Sequence, residues 1–171
     1  MKEAPYETAI PRKYPEQIVY AVTWDAANKR ADIIVLGWAM PTSHKPPMWA
    51  ISVGHTRYSH KLLKETGEFV LAFPSSEMVE ATKTCGTRSG RDTDKVKETG
   101  LKTLPAKKVK PPLIAGCPAC FECKVKGTIE TGDHTIFAGE VVAAHVEEDD
   151  SIDRLYNWAG DFGAAYKTQD E

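Results

Sequence analysis

The chain has 171 residues, of which 42% are hydrophobic and 27% are charged, and this is enough to form one domain with its own core. Its 22 lysines and arginines nearly balance 24 acidic residues, so neither nucleic-acid binding nor a polybasic membrane anchor is expected. The longest apolar run, residues 33–40, is too short to span a bilayer and the N-terminal segment lacks the apolar part of a secretory signal, so we expect a single soluble domain over residues 1–171, in the cytoplasm.

Three strands are predicted in the first third of the chain. Residues 20–24 form a short strand that ends in a turn, and the apolar character of residues 31–40 predicts a strand buried on both faces. Pro41 is expected to close that second strand. A polar, proline-rich connection then leads to a third strand at residues 49–53.

The middle of the chain combines short helices with one strand. Residues 55–67 are predicted to form a helix, with Thr56 as its N-cap and Gly67 just beyond its last turn. A strand at residues 69–73 follows. Two further short helices flank the polar loop 87–95.

The clearest β signal lies late in the chain. Apolar and polar residues alternate over residues 121–129, which is typical of a strand. Residues 131–134 provide a hairpin turn, and residues 135–146 provide the returning strand. Because strands lie toward both ends and short helices fill the middle, we expect a mainly β fold, namely a β-barrel with helical insertions.

Hydroxyl groups are concentrated in the connections that follow the second and third predicted strands. A helix start presents N–H groups and the positive end of its dipole, so the segment around Arg57 is a candidate site for phosphate or another anion. The alternative is that these are ordinary polar loops and that Thr56 only caps its helix. The hydroxyl groups belong to Thr42, Ser43, Ser52, Thr56 and Ser59.

The polar loop 87–95 is a second candidate for anion binding. Ser89 and Gly90 permit a tight turn whose N–H groups converge, and three cations, among them Arg91 and Lys95, add positive charge. A phosphate monoester would gain charge-assisted hydrogen bonds from such a loop. The alternative is a solvated turn in which the loop's own aspartates neutralise the arginines.

Two tryptophans and two methionines flank the proline-rich connection: Trp38, Met40, Met48 and Trp49. A planar ring system beside a strand edge would find stacking surface there. The alternative is that these side chains pack in the core.

Four cysteines occur in the chain: Cys85 and the C-x2-C-x2-C series of Cys117, Cys120 and Cys123. Together they could supply four thiolates to a metal or an iron–sulfur cluster. An extended chain would instead direct Cys117 and Cys123 to one face and Cys120 to the other, which favours buried thiols that behave as small apolar groups. We therefore predict no metal site. Since no motif of a nucleophile or of paired carboxylates occurs, no catalytic residue is assigned.

Several segments, taken in order, resemble one known family. The motifs are PPM, then RYSH-x4-E-x-GEFV, then SGRDxDK, and the likeness continues through LPAKKVKPPLIAGCPACFECKVKGTIETGDHTIFAGEVVAAHV. Over about residues 20–147 the chain is similar to the flavin reductase-like family, in particular its flavoredoxin branch. The resemblance implies a split β-barrel that binds FMN non-covalently, usually as a homodimer with the flavin near the subunit interface.

The resemblance also implies which residues contact the cofactor. The end of the strand at 49–53 would lie along the flavin ring, the start of the following helix would approach the phosphate, and the loop 87–95 would form a second phosphate contact. Thr42 and Ser43 would contact the ring or the ribityl chain. The candidate cofactor-binding residues are Trp38, Met40, Pro41, Thr42, Ser43, Ser52, Val53, Gly54, Arg57, Tyr58, Ser59, Ser89, Gly90, Arg91 and Lys95.

Two parts of the chain depart from the family pattern. Cys117 and Cys123 match positions where the family commonly has cysteines, whereas Cys120 does not, so its role is open. The C-terminal tail, residues 148–171, lies outside the resemblance, and so the role of its aromatic residues is open as well. These are Tyr156, Trp158, Phe162 and Tyr166.

The function implied by the resemblance is oxidoreduction through bound FMN, as in a flavin reductase or a flavoredoxin-type protein. NAD(P)H and an electron-acceptor protein are the further partners expected. Because the flavin carries the redox chemistry, the protein has only to position it and to stabilise its charge. Two alternatives stay open: an FMN electron carrier that does not turn over NAD(P)H, and a structural module that binds a metal through the cysteines.

Overall fold

The computed structural model describes residues 1–164. The strands are β1 (Glu16–Gln17), β2 (Val19–Asp25), β3 (Arg30–Leu36), β4 (Ala39–His44), β5 (Pro47–Gly54), β6 (Glu68–Phe73), β7 (Thr103–Leu104), β8 (Leu113–Ile114), β9 (Ala119–Thr131), β10 (His134–Val146), β11 (Leu155–Trp158) and β12 (Asp161–Ala164). The α-helices are α1 (Tyr6–Ala9), α2 (Tyr58–Thr66), α3 (Val79–Thr87) and α4 (Lys95–Thr99), and short 3-10 helices occur at Ile10–Lys13 and Ser76–Met78.

Seven of the strands form one antiparallel sheet, in the order β3-β2-β6-β9-β10-β5-β4. A three-stranded sheet joins β1 to β11 and β12, and so attaches the C-terminal segment to the N-terminal one. The mainly β architecture with helices between strands confirms the predicted fold class. None of the helices within residues 1–164 is long and apolar enough to cross a bilayer, and Tyr166 of the tail lies outside the described residues.

The β9–β10 hairpin is the longest feature of the sheet, with 13 residues in each strand, and it turns where the sequence predicted. β9 pairs with β6 through residues 119–124 and then continues with β10 alone. Beside a register shift in β10, a Cβ atom at Gly139 would lie 2.6 Å from the Phe69 ring. Glycine therefore allows β10 to pass this closely over the core.

Strands β2 and β6 are buried on both faces because their alternate residues enter two different apolar clusters. In β6, Leu71 packs with Phe137 of β10 in the first cluster. The neighbouring Val70 packs in the second cluster, which also contains Cys85 of α3. Full burial of each such side chain contributes about 1.5–3 kcal/mol. The second cluster thus places α3, α4 and the loop before β9 over one face of the sheet.

The single strand predicted over residues 31–40 is wrong, because a short break separates β3 from β4. At Gly37, within that break, a Cβ atom would overlap the Glu16 carboxylate. Pro41 lies inside β4 and closes no strand. A proline is tolerated there because β4 is the edge strand of the sheet. Much of the predicted proline-rich loop is therefore the paired β4–β5 hairpin.

The helix predicted over residues 55–67 is shorter than expected. α2 begins at Tyr58, and Arg57 is the N-cap residue in extended backbone, so the prediction that Thr56 caps the helix is wrong. Gly67 ends the helix as predicted. Its φ angle of +64° is the left-handed conformation that glycine adopts without strain.

Glu122 in β9 is fully buried, although it occupies a polar position of the predicted alternation. Its carboxylate oxygens accept the N–H groups of Lys107, Lys108 and Val109 at distances between 2.5 and 3.1 Å. The His145 ring lies 2.7 Å from the same carboxylate. The loop between β7 and β8 is thereby fastened to the sheet.

The surroundings of Glu122 favour its charged form. Burial by itself raises the pKa of this carboxyl, but the hydrogen bonds from the three N–H groups and the His145 ring outweigh burial, so the pKa lies below its ordinary value. A carboxyl whose pKa is lowered by folding stabilises the native state above its ordinary pKa. That contribution is lost as the pH falls through the pKa of the folded state.

We expect Glu122→Ala to lower the free energy of unfolding at pH 7 by about 3 kcal/mol, because three backbone N–H groups and the His145 ring lose a charged acceptor. The difference from the parent protein should narrow as the pH is lowered through the acid range. Urea unfolding at several pH values measures both effects. Glu148→Ala, which removes an exposed carboxylate, is the matched control and should change stability little. Equal effects of the two substitutions would contradict the role assigned to Glu122.

Candidate functional site

A cavity of about 370 Å³ opens where the break after β3, the end of β5, the start of α2 and the loop after α3 meet. It brings together ten of the predicted cofactor-binding residues: Trp38, Ser52, Gly54, Arg57, Tyr58, Ser59, Ser89, Gly90, Arg91 and Lys95. The two segments that the sequence singled out as anion-binding candidates therefore form opposite parts of one site.

Five of the predicted residues do not line this cavity. Met40 lines an adjoining cleft of about 290 Å³ that shares Trp38 and Ser52 with the cavity. Val53 is fully buried in the first apolar cluster, so its side chain belongs to the core. The remaining three, Pro41, Thr42 and Ser43, lie on the edge strand β4 outside both hollows.

The first arm of the cavity is the turn between β5 and α2. The Arg57 N–H donates to the Gly54 carbonyl at 3.0 Å, so the chain turns sharply at the end of the strand. The first N–H groups of α2 have no carbonyl one turn earlier in the helix and point out of its N-terminal end. The Tyr58 hydroxyl donates to Asp25 at 2.8 Å, which fixes the helix start against β2.

The second arm is the loop between α3 and α4. The Arg30 guanidinium donates to the Gly90 carbonyl at 2.7 Å, and the N–H groups of Asp92 and Thr93 donate to the Ser89 carbonyl at 3.2 and 3.1 Å. A Cβ atom at Gly90 would overlap the Asp32 carboxylate. The close approach of the loop to β3 thus requires glycine at this position.

Lys95, predicted to contact a phosphate, already has partners within the protein. Its ammonium lies 3.3 Å from the Asp32 carboxylate and donates to the Ile33 carbonyl at 2.5 Å. Both charged side chains are almost completely buried, with 5% and 3% of their surfaces exposed. The charge of Lys95 is therefore already balanced within the protein, although the side chain forms part of the cavity wall.

The cations that remain available are arginines. Arg91 is exposed, donates to the Thr56 carbonyl at 3.2 Å and lies 5.5 Å from the centre of the Tyr58 ring, so it connects the two arms. Arg88 is mostly exposed, 3.8 Å from Glu98. The Arg57 side chain has no ion-pair or hydrogen-bond partner among residues 1–164. The cavity mouth is consequently positive.

The only carboxylate among the cavity-lining residues that the structure describes is that of Glu16. It forms an ion pair with Lys13. Glu16 comes from the short strand β1, far from the motifs in sequence, and no sequence pattern pointed to it. An anion in the cavity would thus meet little negative charge.

Trp38 and Trp49 have different surroundings. Trp38 is 48% exposed, and its ring centre lies 4.9 Å from that of His134. Trp49 packs against Phe73 and Phe121 in the core. A planar surface is therefore available at Trp38, whereas core packing, the alternative interpretation, holds for Trp49.

His134 is the main cavity residue that the sequence interpretation missed, because its segment was assigned only to a hairpin turn. Its Nδ1 lies 2.6 Å from the Asp133 carboxylate, which leaves Nε2 as the free ring nitrogen. In the sheet His134 is the register partner of Gly54. Pairing the last predicted hairpin with the strand that ends at Gly54 would have identified it.

The four cysteines do not meet at one point. Cys85, Cys117 and Cys120 lie in the second apolar cluster, whereas Cys123 lies in the first. The prediction that Cys117 and Cys123 share a face is wrong, since Cys117 precedes β9 and the chain bends at Pro118 before the strand begins. Within residues 1–164, no three His, Cys, Asp or Glu side chains are arranged to hold a metal ion.

Comparison with known proteins adds independent information. The sequence profile of the family described as flavin reductase like domain matches residues 12–166. An uncharacterized protein of Archaeoglobus fulgidus is 39% identical over 124 residues, which are 72% of this chain and 69% of that protein.

Solved structures share the whole architecture. The flavoredoxin of Desulfovibrio vulgaris (Miyazaki F) has 26% identity and a TM-score of 0.83, covering 100% of this chain and 97% of that one. The NADH:FAD oxidoreductase of Streptomyces globisporus C-1027 has 20% identity and a TM-score of 0.83, with 98% of each chain covered. The fold is the split β-barrel that the sequence resemblance implied, and the chain belongs to the flavin reductase like domain family.

Proposed function

We propose that this protein is an oxidoreductase that passes electrons through FMN bound non-covalently in the cavity. The observation that carries the proposal is the meeting of two arginine- and amide-bearing turns beside an exposed tryptophan ring. A phosphate at one end and a flat ring at the other are the two features of FMN that such a site would recognise.

The residues of the positive mouth fit the phosphate end. Arg57 and Arg91 would hold the phosphate together with the Ser89 hydroxyl and the first N–H groups of α2. The doubly charged phosphate would be accepted without repulsion from Asp32, since Lys95 neutralises that carboxylate inside the wall. These contacts suit a single terminal phosphate monoester.

The opposite end of the cavity fits a ring system. Trp38 offers an apolar face, and the end of β5 offers the Ser52 hydroxyl and backbone groups up to Gly54. A Cβ atom at Gly54 would come within 3.4 Å of His134 Nε2, so glycine keeps this edge open. A bound flavin would supply reversible two-electron chemistry.

The side chains near the part of the cavity that would hold the flavin ring orient groups and stabilise charge. Asp133 orients the His134 ring, so that its Nε2 can hold or release a proton at the cavity. The arginines and amides stabilise negative charge. No further acid or base is required of the protein, which agrees with the absence of a catalytic motif in the sequence.

We expect Arg57→Ala and Arg91→Ala each to weaken FMN binding about tenfold, because each removes a charge-assisted hydrogen bond. Binding of riboflavin, which lacks the phosphate, should change little. Quenching of flavin fluorescence measures both affinities, and FAD in the same titration tests the preference for FMN. A protein that binds neither FMN nor riboflavin would contradict the proposed function.

Two further variants serve as controls for this experiment. Arg12→Ala removes an exposed arginine outside the cavity and should leave FMN binding unchanged. Lys95→Met leaves Asp32 as an unpaired buried carboxylate and should lower the free energy of unfolding by about 3–5 kcal/mol. Loss of FMN affinity in Lys95→Met without loss of stability would restore Lys95 as a direct phosphate ligand.

An FMN electron carrier without NAD(P)H turnover is the second candidate, favoured by the 26% identity to a flavoredoxin. Steady-state oxidation of NADH and NADPH by the FMN-loaded protein separates the two. Turnover above that of free FMN supports a reductase that takes electrons from NAD(P)H. No turnover, together with rapid reoxidation of chemically reduced protein by an acceptor protein, supports the carrier.

We further propose that two copies of the chain form a homodimer along the edge strand β4. Trp38 and Met40 expose about half of their surfaces beside the apolar cleft, and within residues 1–164 β4 is an edge strand of the sheet. In such a dimer Thr42 and Ser43 could reach the flavin held by the partner. Light scattering should give the mass of two chains, and a mass of one chain would contradict this arrangement.

A further inference from the structure

Three of the four cysteines lie together on the side of the sheet covered by α3. Cys85, Cys117 and Cys120 are each at most 4% exposed and belong to one apolar cluster. Within a regular strand, residues three apart point to opposite faces. Here Cys117 precedes β9, and the chain bends at Pro118 between the two cysteines, so the alternation of a regular strand does not apply and both side chains enter the same cluster.

The Cys117–Cys120 pair lies behind a surface groove of about 440 Å³ that Met78 and Gly116 help to line. Met78 Sδ is 3.9 Å from the Cys117 thiol, so the methionine side chain stands between this thiol and the groove. A Cβ atom at Gly116 would lie 3.3 Å from Met78 Cε. The Cys117 thiol therefore contacts a flexible side chain that itself lines the groove.

The same cluster touches the cofactor cavity on its other side. Cys85 lines the cavity and packs in the cluster that contains Cys117 and Cys120. The helix α3 has one end at the groove, through Glu80 and Ala81, and the other at the cavity, through Gly86 and Thr87. The thiol pair thus lies in the layer that separates the two hollows.

We propose that Cys117 and Cys120 form a reversible intramolecular disulfide by exchange with a small-molecule disulfide that enters through the Met78 groove. This is a redox site outside the flavin cavity, and it does not depend on flavin binding. The sequence C-x2-C supplies the two sulfurs on one short segment.

The proposed thiol–disulfide exchange has two steps, and together they conserve atoms and electrons. The thiolate of the pair forms on Cys120, whose pKa is the lower of the two, and moves to Cys117 when the Cys117 proton transfers to Cys120 Sγ. The Cys117 thiolate attacks one sulfur of the small disulfide, whose S–S bond breaks and releases one thiolate. The Cys120 thiolate then attacks Cys117 Sγ, forms the protein disulfide and releases the second thiolate. Two protein thiols lose two protons and two electrons, and the small disulfide leaves as two thiols.

The interaction between the two sulfurs supports this chemistry. Hydrogen bonding between the two thiols raises the pKa of Cys117 and lowers the pKa of Cys120. A thiolate on one sulfur can pass to the other by transfer of a single proton. Cys123 lacks such a partner sulfur, and burial raises the pKa of its thiol to about 12, so it should stay inert.

The test uses the folded full chain and glutathione disulfide as the probe. After native incubation and an acid quench, remaining thiols are labelled with N-ethylmaleimide in denaturant and counted by mass spectrometry. We expect the four labels of the reduced chain to become two, with the peptide that carries Cys117 and Cys120 lighter by two hydrogen atoms. Dithiothreitol should restore all four labels.

Matched variants decide whether the pair is responsible. Cys123→Ala and Cys85→Ala should still lose two labels, whereas Cys120→Ala should not form the internal disulfide. Met78→Ala, which opens the groove, should accelerate the exchange severalfold. Circular dichroism confirms that each variant is folded during the incubation. The proposal would be overturned if the folded parent chain still carried four labels after prolonged exposure to glutathione disulfide, or if the disulfide included Cys85 or Cys123. The proposed route through the groove would be overturned if the rate of exchange in Met78→Ala equalled that of the parent chain.

Discussion

The buried Asp32 carboxylate joins the elements that form the cavity. Asp32 Oδ2 accepts the Ser59 hydroxyl at 2.5 Å, and Oδ1 lies 3.3 Å from the Lys95 ammonium. The backbone of Gly90 packs directly on the same carboxylate. One side chain of β3 therefore contacts the start of α2, the loop after α3 and the start of α4. Because a buried carboxylate is unfavourable unless it is paired, the two arms of the cavity depend on each other through this contact.

The two-layer core determines where that contact lies. Alternate residues of β3 enter different layers, since Ile33 packs in the second apolar cluster and Ile34 in the first. The second cluster is covered by α3 and α4, which bring the loop between them to the edge of the sheet. The first cluster includes Val53 of β5 and Leu63 of α2. The cavity forms where the edges of these two layers meet.

Much of the fold could be predicted from local patterns, because those patterns act over a few residues. Gly67 ends α2 as expected, and the alternation in residues 121–129 correctly predicted β9. Pairings between distant residues could not be predicted. Glu122 has the sequence context of a solvent-facing position, yet it is buried by N–H groups from a loop about fifteen residues earlier. No periodic pattern encodes such a contact.

The same distinction applies to the candidate site. The sequence identified both arms, since hydroxyl, glycine and arginine residues are concentrated there. It did not distinguish Lys95 from Arg91, because both are cations of one short loop. Only the position of Asp32, more than sixty residues earlier in the chain, decides that Lys95 is paired internally and that Arg91 remains exposed. Trp38 and Trp49 likewise differ only in their tertiary neighbours.

A buried hydrogen bond holds α3, which forms part of the cavity wall, against the sheet. The Tyr20 hydroxyl and the Thr82 hydroxyl lie 2.6 Å apart, and this buried hydrogen bond fixes α3 to β2. Burial raises the pKa of Tyr20 above its ordinary value, so the phenol keeps its proton for this bond. The bond thereby holds against the sheet the helix whose far end, at Gly86 and Thr87, lines the cavity.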